Sequence, residues 1–142
     1  MATTTIHDPS LFMDPSLDLE TRRLLISATL AAHLRRHLGR RVPIGSDPGE
    51  LLDLARGLNE VAGPVERAHR LRFDPPYPGV TAGPESVGRS SRLLLASRVS
   101  DHDGNAIGVA FTTLIAGRPP QVSLAPPQAS ILEGWRPPAD FH

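Results

Sequence analysis

The placement of the 15 prolines limits this chain more than any other feature. Proline cannot donate to a helix or sheet ladder, so it gathers at element boundaries. Here it punctuates the start (Pro9, Pro15), the middle (Pro43, Pro48, Pro64), a dense loop (Pro75, Pro76, Pro78, Pro84) and the end (Pro119 to Pro138). Between Pro84 and Pro119 there is none, and that window reads as a β-hairpin. Ser91–Val99 is a leucine-rich strand. Asp101-His102-Asp103-Gly104-Asn105 is the turn, with glycine free to take positive φ. Ala106–Ala116 is the return strand. Its alternation places Ile107, Val109, Phe111, Thr113 and Ile115 on one face. Ala106, Gly108, Ala110, Thr112, Leu114 and Ala116 fall on the other. The small-residue face is expected to lie close under a helix or a second subunit.

Two helices are expected before the sheet. The first spans about Leu17–Leu38, capped by Asp14 or Ser16, with Asp18 and Glu20 suiting the positive dipole end. At roughly 100° per residue, Leu24, Ala28, Ala31, Leu34 and Leu38 share a broad apolar side. Arg22, Thr29, His33, Arg36, His37 and Arg40 gather opposite. Gly39 ends the helix. The second helix opens at Asp47-Pro48-Gly49-Glu50, where Asp47 caps, Pro48 fills the first position and Glu50 completes a capping box. Leu51, Leu54, Leu58 and Val61 form its stripe, and Gly63-Pro64 is expected to stop or kink it. Residues 65–73 suit either more helix or a strand. The flanking breaks favour the strand. Gln121–Leu124 could add an edge strand, and Ile131, Leu132 and Trp135 could anchor the tail.

The composition excludes several functions. Without cysteine there is no disulfide scaffold, zinc-finger array or thiol nucleophile. With 15 basic and 15 acidic side chains the net charge is zero, which argues against nucleic acid as the main partner. Every basic residue is arginine, so no P-loop lysine exists, and the bias points to a GC-rich bacterial genome. The longest apolar stretch, Leu24–Leu34, falls well short of the ~20 residues of a spanning helix. No signal peptide is read at the N-terminus, so a cytoplasmic protein without a membrane partner is expected.

Few residues carry chemistry. His33 and His37 have metal-compatible spacing, but the intervening Leu34, Arg35 and Arg36 lack the zincin glutamate and repel a cation, so no metal is expected. Arg35, Arg36, Arg40 and Arg41 complement a helix end. The same group could hold phosphates, such as the nucleotide end of coenzyme A, or an acidic partner. Asp101, His102 and Asp103 read as turn residues before catalytic ones. Glu50 and Asp53 lie opposite the leucine stripe, where a buried carboxylate could act as a general base.

Four segments resemble a known family. They are Arg72-Phe73-Asp74-Pro75-Pro76-Tyr77-Pro78-Gly79, Val87-Gly88-Arg89-Ser90-Ser91, Val99-Ser100-Asp101-His102-Asp103-Gly104 and Ala110-Phe111-Thr112-Thr113. Over about residues 66–116 they resemble the second half of hotdog-fold acyl-CoA thioesterase-like proteins. The resemblance implies a curved antiparallel sheet wrapped on a long helix, a homodimer or larger homo-oligomer, and an acyl site between subunits. It also implies a helix N-terminus that polarises the thioester carbonyl, with a carboxylate that activates water. Carried onto this chain, those roles fall to Gly49 and Asp53, with Arg35, Arg36 and Arg40 on the coenzyme A phosphates. The family's His-Gly-Gly lead is replaced by Asp47-Pro48-Gly49.

The expected fold class is therefore α+β, hotdog-like: an antiparallel sheet packed on one long amphipathic helix plus a shorter helix. Residues 1–16 form an arm, 17–116 a single domain and 117–142 a proline-rich tail. The expected function is hydrolysis or binding of an acyl-CoA thioester, without a cofactor. Two alternatives stand beside it: a small cyclase or isomerase of secondary metabolism with a cone-like pocket, and a non-catalytic interaction module.

Overall fold

The computed structural model describes residues 18–81, 84–87 and 90–129. The expected arm over 1–16, and the tail anchors Ile131, Leu132 and Trp135, lie outside them. The chain is α+β. Three helices, α1 (Leu19–Leu38), α2 (Pro48–Gly57) and α3 (Asn59–His69), precede six strands. These are β1 (Leu71–Asp74), β2 (Val80–Thr81), β3 (Glu85–Val87), β4 (Ser90–Asp101), β5 (Ala106–Ile115) and β6 (Gln121–Ala125). β1, β2 and β3 pair in turn along β4, which pairs with β5 and then β6, all antiparallel. A long helix against an antiparallel sheet is consistent with a hotdog-like arrangement.

α1 starts two residues later than expected, because Asp18 is the cap: its carboxylate accepts from Thr21 N–H at 2.7 Å. That bond holds the Asp18 carboxyl below its ordinary range. The buried stripe also differs from the expected one. Ile26, Leu30 and Leu34 are inside, while Leu24 is 66% exposed. Apolar residues line nearly the whole circumference from Leu24 to Leu34, so periodicity alone did not single out one face. Packing against both α3 and the sheet decided it. Thr29 turns inward and bonds His69 at 3.1 Å.

The expected strand over 65–73 is corrected to helix followed by strand. α3 continues through Pro64 to His69, and the strand is only Leu71–Asp74. Pro64 sits at the middle of α3, where its missing N–H forfeits one bond, to exposed Glu60. The buried stripe Val61, Ala62, Val65 and His69 outweighs that loss. The break falls instead at Leu58, between α2 and α3. Arg70, at φ 55, turns the chain from helix into β1.

The hairpin forms as read. Asp101 Oδ1 accepts from Asp103 N–H and Asn105 N–H, both at 2.9 Å, so its carboxylate serves the turn. A bulge at Val99/Ser100 pairs Val99 with Gly108 and Ser100 with Ala106. Ile107 is thereby shifted into the helix-side core with Ala110 and Leu114, away from the face shared by Val109 and Phe111. The small face does lie under α1: a Cβ on Gly108 would sit 3.1 Å from Arg23 Cδ and 2.4 Å from the Ala125 carbonyl. Ile26, Leu30 and Leu34 of α1 join Leu93, Leu95 and Val99 of β4 in one core. The other sheet face holds Ala96, Val109 and Phe111.

The proline loop after β1 closes over β4. Tyr77 hydroxyl bonds Thr112 Oγ1 at 2.6 Å and its ring meets Phe73 at 5.4 Å. Ser97 Oγ donates to the Pro75 carbonyl. Gly79, at φ +102, passes so close to β4 that a Cβ would sit 1.8 Å from the Ala96 carbonyl. Among the described residues, no helix is long and apolar enough to cross a membrane.

Candidate functional site

A groove of about 660 Å³ lies between α1 and the edge strand β6. α1 begins beside the Ala125 end of β6, where Arg23 meets Gly108 and Ala125. It ends toward Gln121, because the following Val42 N–H donates to the Arg118 carbonyl at 2.8 Å. Leu24, Ala31, Val122 and Leu124 supply apolar lining along the groove. Glu20 and Arg23 stand toward one end, Arg35 toward the other, and Ser27 between. Arg23 is committed to the fold through a 3.0 Å bond to the Ile107 carbonyl. Arg35 is exposed and has no ion-pair partner among the described residues.

Among the described residues β6 pairs with β5 alone, and no described strand covers its second edge. Such an edge offers backbone N–H and C=O groups to an extended ligand. The groove therefore combines apolar surface, the guanidinium of Arg35 beside the committed one of Arg23, and the backbone amides of β6.

Gly49 and Asp53 sit elsewhere, on α2. Asp53 lines an open cleft of about 300 Å³ with Pro43, Ser46, Glu50 and Leu54. Its side chain is 73% exposed and pairs with Arg56 at 2.9 Å. The capping box at the start of α2 is complete. Asp47 Oδ1 accepts from Glu50 N–H at 2.8 Å, and Glu50 Oε1 from Asp47 N–H at 3.2 Å. Leu51 N–H bonds the Asp47 carbonyl and Pro48 has no N–H. Among the described residues this leaves the Gly49 amide as the one first-turn donor without a bond. Two carboxylates thus already occupy the dipole end that the resemblance assigns to a thioester carbonyl.

The arginine trio is divided. Arg35 lines the groove with β6. Arg36 lines a smaller recess of about 240 Å³ with His33, His37, Glu60 and Val61. Burial, then the charge of Arg36, lowers the His33 pKa. Arg40 lies exposed in the loop after Gly39. None of the three lines the cleft of Asp53.

Sequence reasoning missed Arg23, Val122 and Leu124 as lining residues and placed Leu24 on the buried side. The available signal was the surplus of apolar residues on α1, more than one buried face can use. No protein-family model matches the chain, and comparisons with characterised proteins and with solved structures found no match.

Proposed function

We propose that this protein binds an acyl thioester, or a chemically similar anionic-headed acyl group, in the groove between α1 and β6. One observation carries the reading: a long recess with apolar lining has a guanidinium, Arg35, toward one end. An acyl chain would cover Leu24, Ala31, Val122 and Leu124. The amide-bearing arm of a coenzyme A thioester would run along the outer edge of β6, and its phosphates would approach Arg35. Lying along the sheet rather than at the mouth of a cone, α1 favours this reading over a cyclase pocket. Glu20 is the acidic residue of the lining, and no described nucleophile–base pair stands beside it, so binding is better supported there than hydrolysis.

The test is calorimetric titration with octanoyl-CoA, coenzyme A and octanoate. Octanoyl-CoA is expected to bind more tightly than either fragment, and Arg35→Ala to weaken octanoyl-CoA while sparing octanoate. Absence of binding by all three would remove the proposal.

A second reading, hydrolysis at α2, is favoured by one feature: Asp53 and Glu50 line a common cleft one turn from the unbonded Gly49 amide. It requires slow release of coenzyme A from an acyl-CoA panel, abolished by Asp53→Asn. Turnover unchanged by that substitution would dismiss it.

A further inference from the structure

We propose that the loop after α1, with the β5–β6 turn against which it is zipped, forms a docking surface for an acidic protein. The surface is assembled from distant parts of the chain. Val42 is fully buried and bonded both ways to the turn: its N–H donates to the Arg118 carbonyl, and its carbonyl accepts from Gly117 N–H, each at 2.8 Å. Arg41 reaches the Gly117 carbonyl at 3.5 Å. These bonds bring Arg118 beside Arg40 and Arg41, just past the basic end of α1 with Arg35 and Arg36. All these arginines are exposed, and none has an ion-pair partner among the described residues.

At the tip of this loop stands Ile44, 87% exposed. It is held out by structure. Ser46 N–H and Oγ both donate to the Pro43 carbonyl, at 3.3 and 2.7 Å, and Gly45 takes φ 80 to close the bend. Ile44 also lies close against Gly117. A preorganised apolar tip bordered by guanidiniums loses little entropy on docking. It matches a surface with carboxylates around an apolar contact, since arginine pairs with carboxylates in a two-pronged fork.

The chemistry selects a protein over other polyanions. The chain as a whole is neutral, so it lacks the broad positive field that phosphate backbones need. Among the described residues no aromatic side chain lies among these arginines to stack on bases. A single aliphatic tip is also too narrow for the apolar face that interfacial insertion into a bilayer buries.

The test uses the full chain and a labelled amphipathic helical peptide of glutamate and leucine, followed by fluorescence anisotropy. The glutamate peptide is expected to bind at least about tenfold more tightly than its glutamine analogue. Arg40→Glu with Arg41→Glu should weaken it about tenfold, and Ile44→Ser by a similar factor. Arg40→Glu with Arg118→Glu serves should the loss of the Arg41 contact disturb folding. Ile44 lies outside the groove lining and the phosphate-binding arginines, so Ile44→Ser should leave octanoyl-CoA affinity unchanged and the groove is tested separately. No binding of the acidic peptide, or binding indifferent to charge reversal, overturns the proposal. So does tighter binding to anionic phospholipid vesicles or to duplex DNA than to the peptide.

Discussion

Leu24 offers a sharp test, because the fold leaves it uncovered in the groove. Fully burying a leucine side chain contributes about 1.5–3 kcal/mol. Leu24 is 66% exposed, so a ligand that covers it recovers about 1–2 kcal/mol of that amount. This corresponds to about 5- to 30-fold in affinity. Leu24→Gln keeps side-chain length and helix propensity while removing the apolar surface. Its effect on folding should stay within about 0.5 kcal/mol, as for other exposed sites. Leu19, 45% exposed on the same helix but outside the groove lining, provides the control as Leu19→Gln. The assay is titration calorimetry with octanoyl-CoA, alongside urea midpoints for each variant. Leu24→Gln should raise Kd within the stated range at an unchanged midpoint, and Leu19→Gln should do neither. A Kd for Leu24→Gln within twofold of the parent would refute the argument that the acyl chain covers this residue.

Three further outcomes are expected. His69, buried between α1 and α3 against Thr29, has its pKa pushed down to about 4 by desolvation, with the charge of Arg22 adding to the shift. An unfolded histidine titrates near 6.5, so between those values the unfolded chain binds the extra proton and stability falls as pH drops. The loss from pH 7 to pH 4 should be about 1–2 kcal/mol after allowing for solvent screening, read from urea midpoints, and His69→Gln should flatten it. Gly79→Ala places a Cβ against the Ala96 carbonyl at positive φ and should destabilise by more than about 3 kcal/mol, seen as a collapse of the thermal transition. A transition within a few degrees of the parent would contradict the close approach. Thr113 Oγ1 is buried without a hydrogen-bond partner among the described residues, so Thr113→Val should raise stability by about 1 kcal/mol in the same melts. A loss of stability would show that the hydroxyl is satisfied.

Much of the fold was legible where local chemistry is decisive. Asp47-Pro48-Gly49-Glu50 reads as a helix start because its bonds are made within four residues. Asp101 to Asn105 reads as a turn for the same reason. Apart from the α1 cap, the misreadings depend on tertiary context. Thr29 is turned inward by His69, forty positions away. Pro64 is tolerated because Val61, Ala62 and Val65 have a core to enter. Ile107 changes face because a bulge lies beside it. The candidate groove was hidden for the same reason. Arg35 was visible as a cation near a helix end, but its neighbours Val122 and Leu124 come from a strand that the sequence suggested only faintly. Arg118 joins Arg40 and Arg41 through backbone bonds that no spacing rule anticipates.

The central claim concerns where an acyl thioester sits, and backbone amide chemical-shift mapping during an octanoyl-CoA titration measures that directly. Shifts should concentrate on Leu24, Ser27, Ala31 and Arg35 of α1 and on Gln121 to Leu124 of β6. Shifts confined to Gly49 through Asp53, with the groove silent, would contradict the account and move the site to α2.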